Sequence, residues 1–542
     1  MYKRLAIAFS VANLCFFQTW SEVLSPPALN YLYFWKDYPG YTSVISLAIN
    51  VVLLTLIFFA SFNLVWRVGG PVLHNVARAS FVIIFLRALN GVRVHFVSLS
   101  THELRLLFGR AGFFAIGVAL FSLLILITVR YGLARVARGA AIIALVLSPF
   151  GLVGLTQANW LAVKYGRGWQ DRVPAHVLET SGKAQPRVLW VIFDEMNEHL
   201  VFADRPASLS LPNLDRLRAE GLLATNAFPP AGHTSQSIPA LLTGRLIASV
   251  RPAGPDELML TFPGQPVPVG WSTQPDIFTE ARANGFNTAA VGWYHPYCRV
   301  VGDRLTSCLW EQISITEGLT RHGLVDGLLR QDLDLLPMMP FTGKIRDRLR
   351  VRTPEEYRIP VLTVYQQLLA ATERAATNPS LGLTFIHLPI PHPPYIYDRK
   401  RGVWDTKEER EYLDNLALAD RTLGELRLAM EAAGTWDNTT ILISSDHWWR
   451  TDFWRPQKID TYWSSADENL GDHVDHRIPF LLRMAGQKTA LTYEASFNTV
   501  LTRDLLLDIM KQKISRAEEI PAWLDTHKTI GESPYQAYDD FK

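Results

Sequence analysis

Long apolar segments fill the first 160 residues of the chain, whereas short apolar runs alternate with amphipathic stretches from residue 187 onward. Each long segment approaches the ~20 residues that a membrane-spanning helix requires. The segments lie at about residues 5–23, 42–66, 72–92, 111–129 and 138–160. This pattern predicts a transmembrane region of about five helices over residues 1–165, a polar linker over residues 166–186 and a separate domain over residues 187–542.

Basic residues near the ends of these segments indicate their orientation. With five spans, one group of them falls on a single side, which the positive-inside rule makes cytoplasmic. These residues are Lys3, Arg4, Arg67, Arg78, Arg130, Arg135 and Arg138. The second domain then lies outside, which predicts a multi-pass membrane protein with a periplasmic or extracellular domain. The opposite loop, with Arg93, Arg105 and Arg110, is also basic, and four spans would put that domain in the cytoplasm.

The second domain has the pattern of an α/β fold. Runs typical of buried strands lie at Arg187–Phe193, Thr288–Val291, Leu383–His387 and Thr439–Ser444. Helical stretches lie between them at Pro212–Glu220, Pro360–Thr377 and Glu408–Ala433. This alternation predicts a mainly parallel sheet flanked by helices. Ligands of such sheets bind beyond the carboxyl ends of the strands, where Asp194, His387 and Asp446 stand.

Charge and cysteine content narrow the possible partners and compartment. The formal net charge is +2 and the chain has no basic run of the kind that nucleic-acid binders use, so we expect no nucleic-acid partner. Cys298 and Cys308 lie close together around a turn signal at Gly302 and Asp303. A disulfide between them would suit an oxidising compartment, and two unrelated buried thiols are the alternative.

A turn-rich loop from Pro229 to Arg245 (PPAGHTSQSIPALLTGR) delivers hydroxyl side chains to a short apolar helix, Ile238–Leu242. A helix amino terminus offers unpaired N–H groups and a positive dipole end, which stabilise an anionic group. Thr234 or Ser235 is therefore a candidate nucleophile. The alternative is that one of them only caps the helix.

A carboxylate and an imidazole follow the last predicted strand, in the segment WDNTTILISSDH that ends at Asp446 and His447. Adjacent groups of these two types can bind one divalent ion through hard and borderline donors together. An Asp that caps the next helix beside a surface His is the alternative.

The order of these segments resembles the alkaline phosphatase superfamily, in the branch of sulfatases, phosphoethanolamine transferases and lipoteichoic-acid synthases. The matching motifs are the strand ending at Asp194 and Glu195, the helix LPNLDRLRAEG from Leu211, the sequence LLTGR after Thr234, and Asp446-His447. The resemblance covers about residues 187–485. It implies that Thr234 is the nucleophile and that Asp194 or Glu195, Asp446 and His447 bind metal together with Thr234.

The same resemblance assigns roles to further histidines. FIHLPIPHPPY, with His387 and His392, is similar to a family segment whose second histidine contacts the transferred group or protonates the leaving group. DHVDHRIPF offers His473 or His476 as another metal ligand, and the sequence does not decide between them.

Two departures from the family pattern lie beside these motifs. VGWYH, ending at His295, is similar to a sulfatase motif but has Trp293 in place of a lysine. Trp448, Trp449 and Arg450 stand where the family usually continues with Gly. We assign His387, His295 and Arg450 to substrate binding.

Threonine cannot form the formylglycine of sulfatases, which argues against sulfate ester hydrolysis. The resemblance implies instead a phosphotransferase that uses one or two divalent ions, Zn or Mn first and Ca or Mg as alternatives. Such an enzyme would move a phosphoethanolamine or phosphoglycerol headgroup from a membrane lipid to an envelope glycan or lipid acceptor. A phosphodiesterase, phosphatase or sulfatase-like hydrolase, and a catalytically silent scaffold of envelope polysaccharide assembly, are the competing hypotheses.

Overall fold

The structure is a computed structural model. It describes residues 2–17, 19–20, 32–36, 41–95, 101–165, 169–179, 185–312, 323–333, 335, 354–457, 462–470 and 475–536. The chain divides into two compact units. The first, the membrane unit, comprises Met1–Leu29, Asp37–Gly168 and Thr316–Val351. The second contains the site residues predicted from the sequence and is therefore called the catalytic unit; it comprises Asn30–Lys36, Trp169–Ile315 and Arg352–Lys542.

The α-helices and β-strands are numbered along the chain. The helices are α1 Tyr2–Cys15, α2 Tyr41–Val68, α3 Pro71–His95, α4 Thr101–Tyr131, α5 Leu133–Tyr165, α6 Pro212–Ala219, α7 Thr234–Thr243, α8 Ile277–Ala283, α9 Tyr297–Val300, α10 Leu324–Leu333, α11 Pro354–Thr377, α12 Tyr412–Ala432, α13 Thr451–Trp454, α14 Thr502–Met510 and α15 Ile520–His527. The strands are β1 Arg187–Asp194, β2 Leu222–Ala224, β3 Ala227–Phe228, β4 Ser249–Pro252, β5 Leu258–Thr261, β6 Val269–Gly270, β7 Thr288–Trp293, β8 Ser307–Glu311, β9 Leu383–Pro391, β10 Tyr397–Asp398, β11 Val403–Trp404, β12 Thr439–Ser444, β13 Phe480–Arg483, β14 Leu491–Tyr493 and β15 Phe497–Asn498.

The membrane unit is a bundle of long apolar helices. Among the described residues, four helical segments are long and apolar enough to cross a membrane: Val44–Val68, Pro71–Gly91, Ala111–Tyr131 and Leu133–Trp160. The first predicted segment is described in part: its residues 5–15 lie in α1, and residues 18 and 21–23 lie outside the described residues. The predicted number of five spans and the sidedness of the bundle remain predictions.

One amphipathic helix from late in the chain, α10, belongs to the membrane unit and packs against α2. Ser46 Oγ donates a hydrogen bond to the carbonyl of Leu324 (3.2 Å), and Asn50 Nδ2 donates to the carbonyl of Leu328 (3.1 Å). These two polar side chains of α2 therefore have partners within the unit.

The catalytic unit is built on an eight-stranded sheet of order β14-β2-β13-β12-β1-β9-β7-β8. Each pair of adjacent strands is parallel in the series β12, β1, β9, β7 and β8. Strand β13 runs antiparallel to both β12 and β2. Helices α11 and α12 pack against β9. The predicted fold class, an apolar helical region followed by an α/β domain with a mainly parallel sheet, is confirmed.

The central strands are apolar along their whole length because helices and loops cover both faces. All residues of β7, β9 and β12 are buried, as are seven of the eight in β1. The predicted strand at 439–444 has its predicted bounds, and that at 187–193 gains Asp194. Predicted strands at 288 and 383 continue to Trp293 and Pro391, so both deliver side chains further towards the sheet's carboxyl edge.

Two flanking segments also belong to the catalytic unit. Residues 169–179 lie within the predicted linker, and there the amide of Arg172 donates to the carbonyl of Cys298 (2.9 Å). The segment Asn30–Lys36 contributes Tyr33 and Trp35, whose carbonyls accept hydrogen bonds from the buried Arg299 guanidinium at 3.0 and 2.6 Å.

Candidate active site

Three charged side chains meet beyond the carboxyl ends of the adjacent strands β1 and β12. Asp194 is the last residue of β1, and Asp446 and His447 follow β12 directly after Ser445. One ligand atom from each lies within 4.8 Å of the others, and all three residues are fully buried. The parallel pairing of the two strands brings together residues about 250 positions apart in the chain.

The Thr234 hydroxyl reaches the same point from another element. Its Oγ1 lies 3.1 Å from His447 Nε2 and 3.4 Å from Asp194 Oδ2. Thr234 is the first residue of α7, after His233 in extended conformation, so the side chain does not cap the helix. Ser235 directs its Oγ to His233 Nδ1 instead, at 2.7 Å. Of the two candidate nucleophiles, only Thr234 lies within hydrogen-bond distance of the acidic cluster's side chains.

The two carboxylates carry uncompensated charge. Asp194 Oδ1 and Asp446 Oδ2 have no hydrogen-bond partner among the described residues. Burial raises the pKa of Asp194 to about 7, and burial together with repulsion from Asp194 raises the pKa of Asp446 to about 7. A buried pair of this kind is costly to ionise without a cation.

Hydrogen bonds define which nitrogen of His447 carries the proton. Nδ1 lies 2.9 Å from the carbonyl of Trp448, which can only accept, so Nδ1 is the donor. Nε2 then presents a lone pair to Thr234 Oγ1 and to Asp446 Oδ2, which is 3.4 Å away. Burial lowers the pKa of His447, which favours this neutral form.

These three residues therefore fit a divalent cation. Two unpaired buried carboxylate oxygens and one unprotonated imidazole nitrogen converge, and such oxygen and nitrogen donors bind divalent metals. The cation would balance the charge that the protein itself leaves uncompensated, and Thr234 Oγ1 lies close enough to join the donor set.

Glu195 does not join this cluster. Its backbone has φ 63°, a left-handed conformation that turns the side chain away from that of Asp194. The carboxylate accepts hydrogen bonds from Arg450 Nε (2.6 Å) and Trp454 Nε1 (2.9 Å). Of the alternatives Asp194 and Glu195, the structure brings only Asp194 to the other ligands. It also pairs Arg450, predicted to bind substrate, with Glu195.

His387 lies at the edge of the cluster, fully buried, with Nε2 3.5 Å from Asp194 Oδ2. Trp293 Nε1 donates to His387 Nε2 (3.3 Å), and Nδ1 lies 2.8 Å from the Tyr297 hydroxyl. Trp293, the residue that replaces the family's lysine, thus orients a histidine and adds no charge. Burial lowers the pKa of His387 to about 4.

His392 is held beside Asp194 between two tryptophans. Its amide donates to the carbonyl of Asp194 (3.1 Å), and the rings of Trp293 and Trp454 lie 5.2 Å from its own ring. Nδ1 donates to the carbonyl of Pro393. Burial lowers the pKa of His392 to about 4, so the neutral form has an unprotonated Nε2 and must take up a proton before it can act as an acid.

His295, predicted to bind substrate, forms a hydrogen bond with the backbone of Thr234 in this structure. Its Nε2 donates to the carbonyl of Thr234 (3.1 Å), so its Nδ1 accepts from the Tyr33 hydroxyl (3.1 Å). All of these groups are buried, and burial lowers the pKa of His295 to about 3. A neutral histidine therefore positions Thr234.

The remaining metal candidates do not enter the described cluster. His476 packs its ring 4.0 Å from that of Trp448 and pairs through Nδ1 with Glu532. His473 lies outside the described residues.

Cys298 of α9 and Cys308 of β8 form a disulfide, with 5.7 Å between their Cα atoms. The free cysteine of the described residues, Cys15, is buried in the membrane unit.

Sequence reasoning missed Tyr33 and Tyr297, which hold two of the site histidines. Tyr297 lies two residues after His295, so its proximity was a usable signal. Tyr33 is 262 residues from His295 and its segment has no motif, so only tertiary structure reveals the contact.

Comparisons with known proteins agree with the fold. The Sulfatase family model matches residues 186–525, and no curated protein sequence matches the chain. The solved phosphonate monoester hydrolase of Agrobacterium radiobacter is similar at 16% identity over 60% of this chain and 74% of its own, with a TM-score of 0.37. The PsFucS1 sulfatase from Pseudoalteromonas sp. is 16% identical over 60% and 67% of the two chains (TM-score 0.39).

A murine ectonucleotide pyrophosphatase/phosphodiesterase 5, solved with AMP, is 12% identical over 60% of this chain and 95% of its own (TM-score 0.34). The family match itself covers more than half of the 542 residues. The sulfatase-like resemblance inferred from the motifs is thereby confirmed, and the protein belongs to the sulfatase family.

Proposed function

We propose that this enzyme is a membrane-bound, metal-dependent phosphotransferase that moves a phospholipid headgroup onto an envelope glycan or lipid through a phospho-threonine intermediate. The observation that carries the proposal is the position of Thr234 Oγ1, 3.1 Å from His447 Nε2 and 3.4 Å from Asp194 Oδ2. A hydroxyl beside proton acceptors, at the start of a helix, is arranged to act as a nucleophile on an anionic group.

The membrane unit supports a lipid donor. A phospholipid such as phosphatidylethanolamine or phosphatidylglycerol carries its phosphodiester at the membrane surface, where an enzyme anchored by apolar helices meets it without diffusion through water. The proposed location is the bacterial inner membrane with the catalytic unit on the periplasmic side. The Cys298–Cys308 disulfide supports that side because disulfides persist in oxidising compartments.

In the first half of the reaction, Thr234 Oγ1 forms a bond to phosphorus as the bond from phosphorus to the diacylglycerol oxygen breaks. The hydroxyl proton passes to Asp194 Oδ2, which lies 3.4 Å from Thr234 Oγ1, since Asp194 Oδ1 and His447 Nε2 are the atoms available to a cation. The diacylglycerol oxygen takes a proton, and His392 is the proposed donor once its Nε2 is protonated. The products are diacylglycerol and a phosphodiester on Thr234.

In the second half, an acceptor hydroxyl attacks the same phosphorus atom. The new oxygen–phosphorus bond replaces the bond to Thr234, whose oxygen regains a proton. Water in place of the acceptor would make the enzyme a phosphodiesterase.

Superfamily members use divalent metals, and Asp194, Asp446 and His447 would hold one here, joined by Thr234. A bound Zn or Mn ion would lower the pKa of the Thr234 hydroxyl and neutralise charge on the phosphoryl oxygens. His295 meanwhile keeps the Thr234 backbone in place, and Arg450 keeps Glu195 neutralised. Sulfate ester hydrolysis has less support, since threonine cannot supply formylglycine.

Intact-mass measurement of the full-length protein tests this proposal. Wild type, Thr234→Ala and Ser235→Ala are reconstituted in nanodiscs of phosphatidylethanolamine or phosphatidylglycerol with Zn or Mn and quenched in acid. We expect wild type and Ser235→Ala to gain the mass of the phosphorylated headgroup and Thr234→Ala to gain none. Ser235→Ala is a matched control because it removes the neighbouring hydroxyl.

Two results would oppose the proposal. Release of the headgroup phosphate into water without any transfer to added glycan or lipid would assign a phosphodiesterase. No metal uptake and no mass gain with either lipid would support the scaffold hypothesis.

A further inference from the structure

The membrane unit contains a cavity of about 510 Å³ at one end of its helical bundle. The early residues of α1, α3 and α5 and the last turns of α2 line it, so all four helices contribute the same end. The volume falls within the roughly 300–1,000 Å³ of ordinary small-molecule sites. This is the end of the bundle that the positive-inside rule assigns to the cytoplasm.

The walls of the cavity are apolar and its charged residues are all cationic. Arg4, Arg78 and Arg138 line it from three different helices. Its described lining residues include no Asp or Glu. The aromatic and aliphatic wall residues include Phe58, Phe62, Trp66, Phe81 and Ile84.

Two of these arginines are held by uncharged groups. Arg4 Nη1 donates to Asn63 Oδ1 (2.9 Å), and Arg78 Nη1 donates to Asn75 Oδ1 (2.8 Å). The Arg4 guanidinium lies 5.8 Å from the ring centre of Phe62, and that of Arg78 lies 5.5 Å from Trp66. Amides and rings orient the guanidinium groups but do not neutralise them.

Ion pairs do not neutralise them either. Across the described ranges, none of the salt bridges found includes Arg4, Arg78 or Arg138. Three like charges at one cavity repel one another, and an anion placed among them would relieve that repulsion. Guanidinium groups bind phosphate through paired N–H donors, which makes a phosphate the fitting anion.

We propose that this cavity binds one anionic phospholipid, with its phosphate among Arg4, Arg78 and Arg138 and an acyl chain against the apolar wall. The combination of cationic rim and apolar wall fits an amphiphile better than a free phosphate. Basic pockets between membrane helices at the cytoplasmic side bind lipid headgroups by this chemistry. The inference does not depend on the proposed transfer reaction, since all lining residues belong to the membrane unit.

Native mass spectrometry of the full chain, delipidated in detergent and titrated with lipid, tests the proposal. We expect phosphatidylglycerol to bind at least tenfold more tightly than phosphatidylcholine, because the latter carries no net charge. The variant with Arg78→Gln and Arg138→Gln should lose about 30-fold in affinity for phosphatidylglycerol. The variant with Arg78→Lys and Arg138→Lys should retain most of it and shows whether charge or folding is responsible.

The matched control is Arg67→Gln with Arg135→Gln, which removes two exposed arginines from the same end of the bundle but not from the cavity lining. It should bind phosphatidylglycerol as wild type does. The proposed lipid site would be wrong if the control and the cavity variants lost the same affinity for phosphatidylglycerol. It would also be wrong if wild type bound phosphatidylcholine as tightly as phosphatidylglycerol. Displacement of the lipid by inorganic phosphate at equal concentration would assign a phosphate site and overturn the lipid as its ligand.

Discussion

Two acidic clusters of the catalytic unit have the ligand types of a metal site, and they differ in how their charge is balanced. Asp194, Asp446 and His447 form one, and Asp398, Asp405 and Glu408 form the other. In the second, a single arginine, Arg410, reaches all three carboxylates, and we call this second cluster the Arg410 cluster. Arg410 lies 3.3 Å from Asp398 Oδ2 and 2.7 Å from Glu408 Oε2, and it also pairs with Asp405.

Backbone amides complete the Arg410 cluster. Asp398 Oδ1 accepts from the amides of Lys400 and Arg401 at 2.9 and 3.0 Å, and Asp405 Oδ1 accepts from that of Lys407 at 2.8 Å. Although burial acts to raise it, these bonds and Arg410 hold the pKa of Asp405 below its usual value.

In the active-site cluster, by contrast, burial raises the pKa of Asp194 and that of Asp446 to about 7, and no arginine of the described residues forms a salt bridge with either carboxylate. Asp446 Oδ1 accepts from the amides of Glu195 (3.3 Å) and His447 (2.9 Å), but Asp194 Oδ1 and Asp446 Oδ2 have no hydrogen-bond partner there. The difference teaches that unbalanced charge, rather than acidic composition, distinguishes a site that requires a cation.

The largest expected effect comes from removing one carboxylate of each cluster. Asp446→Asn should lower affinity for Zn or Mn by more than about 100-fold and abolish headgroup transfer, because the remaining donors cannot replace its charge. Asp405→Asn should leave metal content unchanged. Elemental analysis after gel filtration measures both, and equal metal loss in the two variants would erase the distinction between the clusters.

The next effect concerns Glu195, an acidic residue that is next to the metal cluster but is balanced by Arg450. Glu195→Gln should retain bound metal yet destabilise the protein by about 3 kcal/mol, since it leaves a buried guanidinium without its counter-ion. Glu408→Gln, which alters an ion pair whose glutamate side chain is 69% exposed, should cost less than about 1 kcal/mol. Denaturant unfolding in detergent compares them, and metal loss from Glu195→Gln would make Glu195 a ligand.

The clusters also predict opposite dependences of stability on pH. In metal-stripped protein, the folded carboxyls with pKa about 7 keep protons that the unfolded chain releases near pH 4. The stability that these two protonated carboxyls contribute to the folded protein is therefore lost as pH rises from about 4 to 7. Asp405 has a lowered pKa in the folded protein, so its carboxylate stabilises the fold above about pH 4. This stabilisation is lost on acidification.

Thermal unfolding between pH 4 and 8, with chelator and with added Zn, measures this dependence. Zn should restore stability at pH 7, and Asp446→Asn should flatten the decline in chelator. A metal-stripped wild type that gains stability from pH 5 to 7, with Asp446→Asn showing the same slope, would contradict the assigned charge imbalance.

The smallest expected effect involves no charge. Tyr33→Phe removes the hydrogen bond to His295 that helps to hold Thr234, and kcat should fall about 5- to 10-fold with unchanged metal content. Tyr365→Phe removes a similarly buried hydroxyl, which bonds Thr422 Oγ1 at 2.7 Å. It should reduce stability comparably but leave kcat unaltered, and an equal fall in kcat would assign Tyr33 a purely structural role.

Much of the α/β domain was predictable because strands that are buried on both faces have continuous apolar runs in their sequence. The strand at 439–444 had its predicted bounds, and the helix predicted at 408–433 is shortened to Tyr412–Ala432. The Glu411 side chain and Asp414 form a capping box there, which defines the helix start. Helix α11 begins six residues before its predicted start at Pro360, because a proline tolerated within a helix was taken as its beginning.

The local sequence pattern determined the order of the strands, the loop that places Thr234 at the start of α7, and the position of Asp446 and His447 after β12. These features depend on residues that are neighbours in the chain, so the sequence alone is enough to predict them. Only the tertiary structure decided which charged side chains contact one another. Glu195 and Asp194 are adjacent in the chain, yet φ 63° at Glu195 sends one carboxylate to Arg450 and leaves the other at the metal cluster. Tyr33 joins the site from the far end of the sequence because burial and hydrogen bonding depend on distance in space, which no local pattern contains.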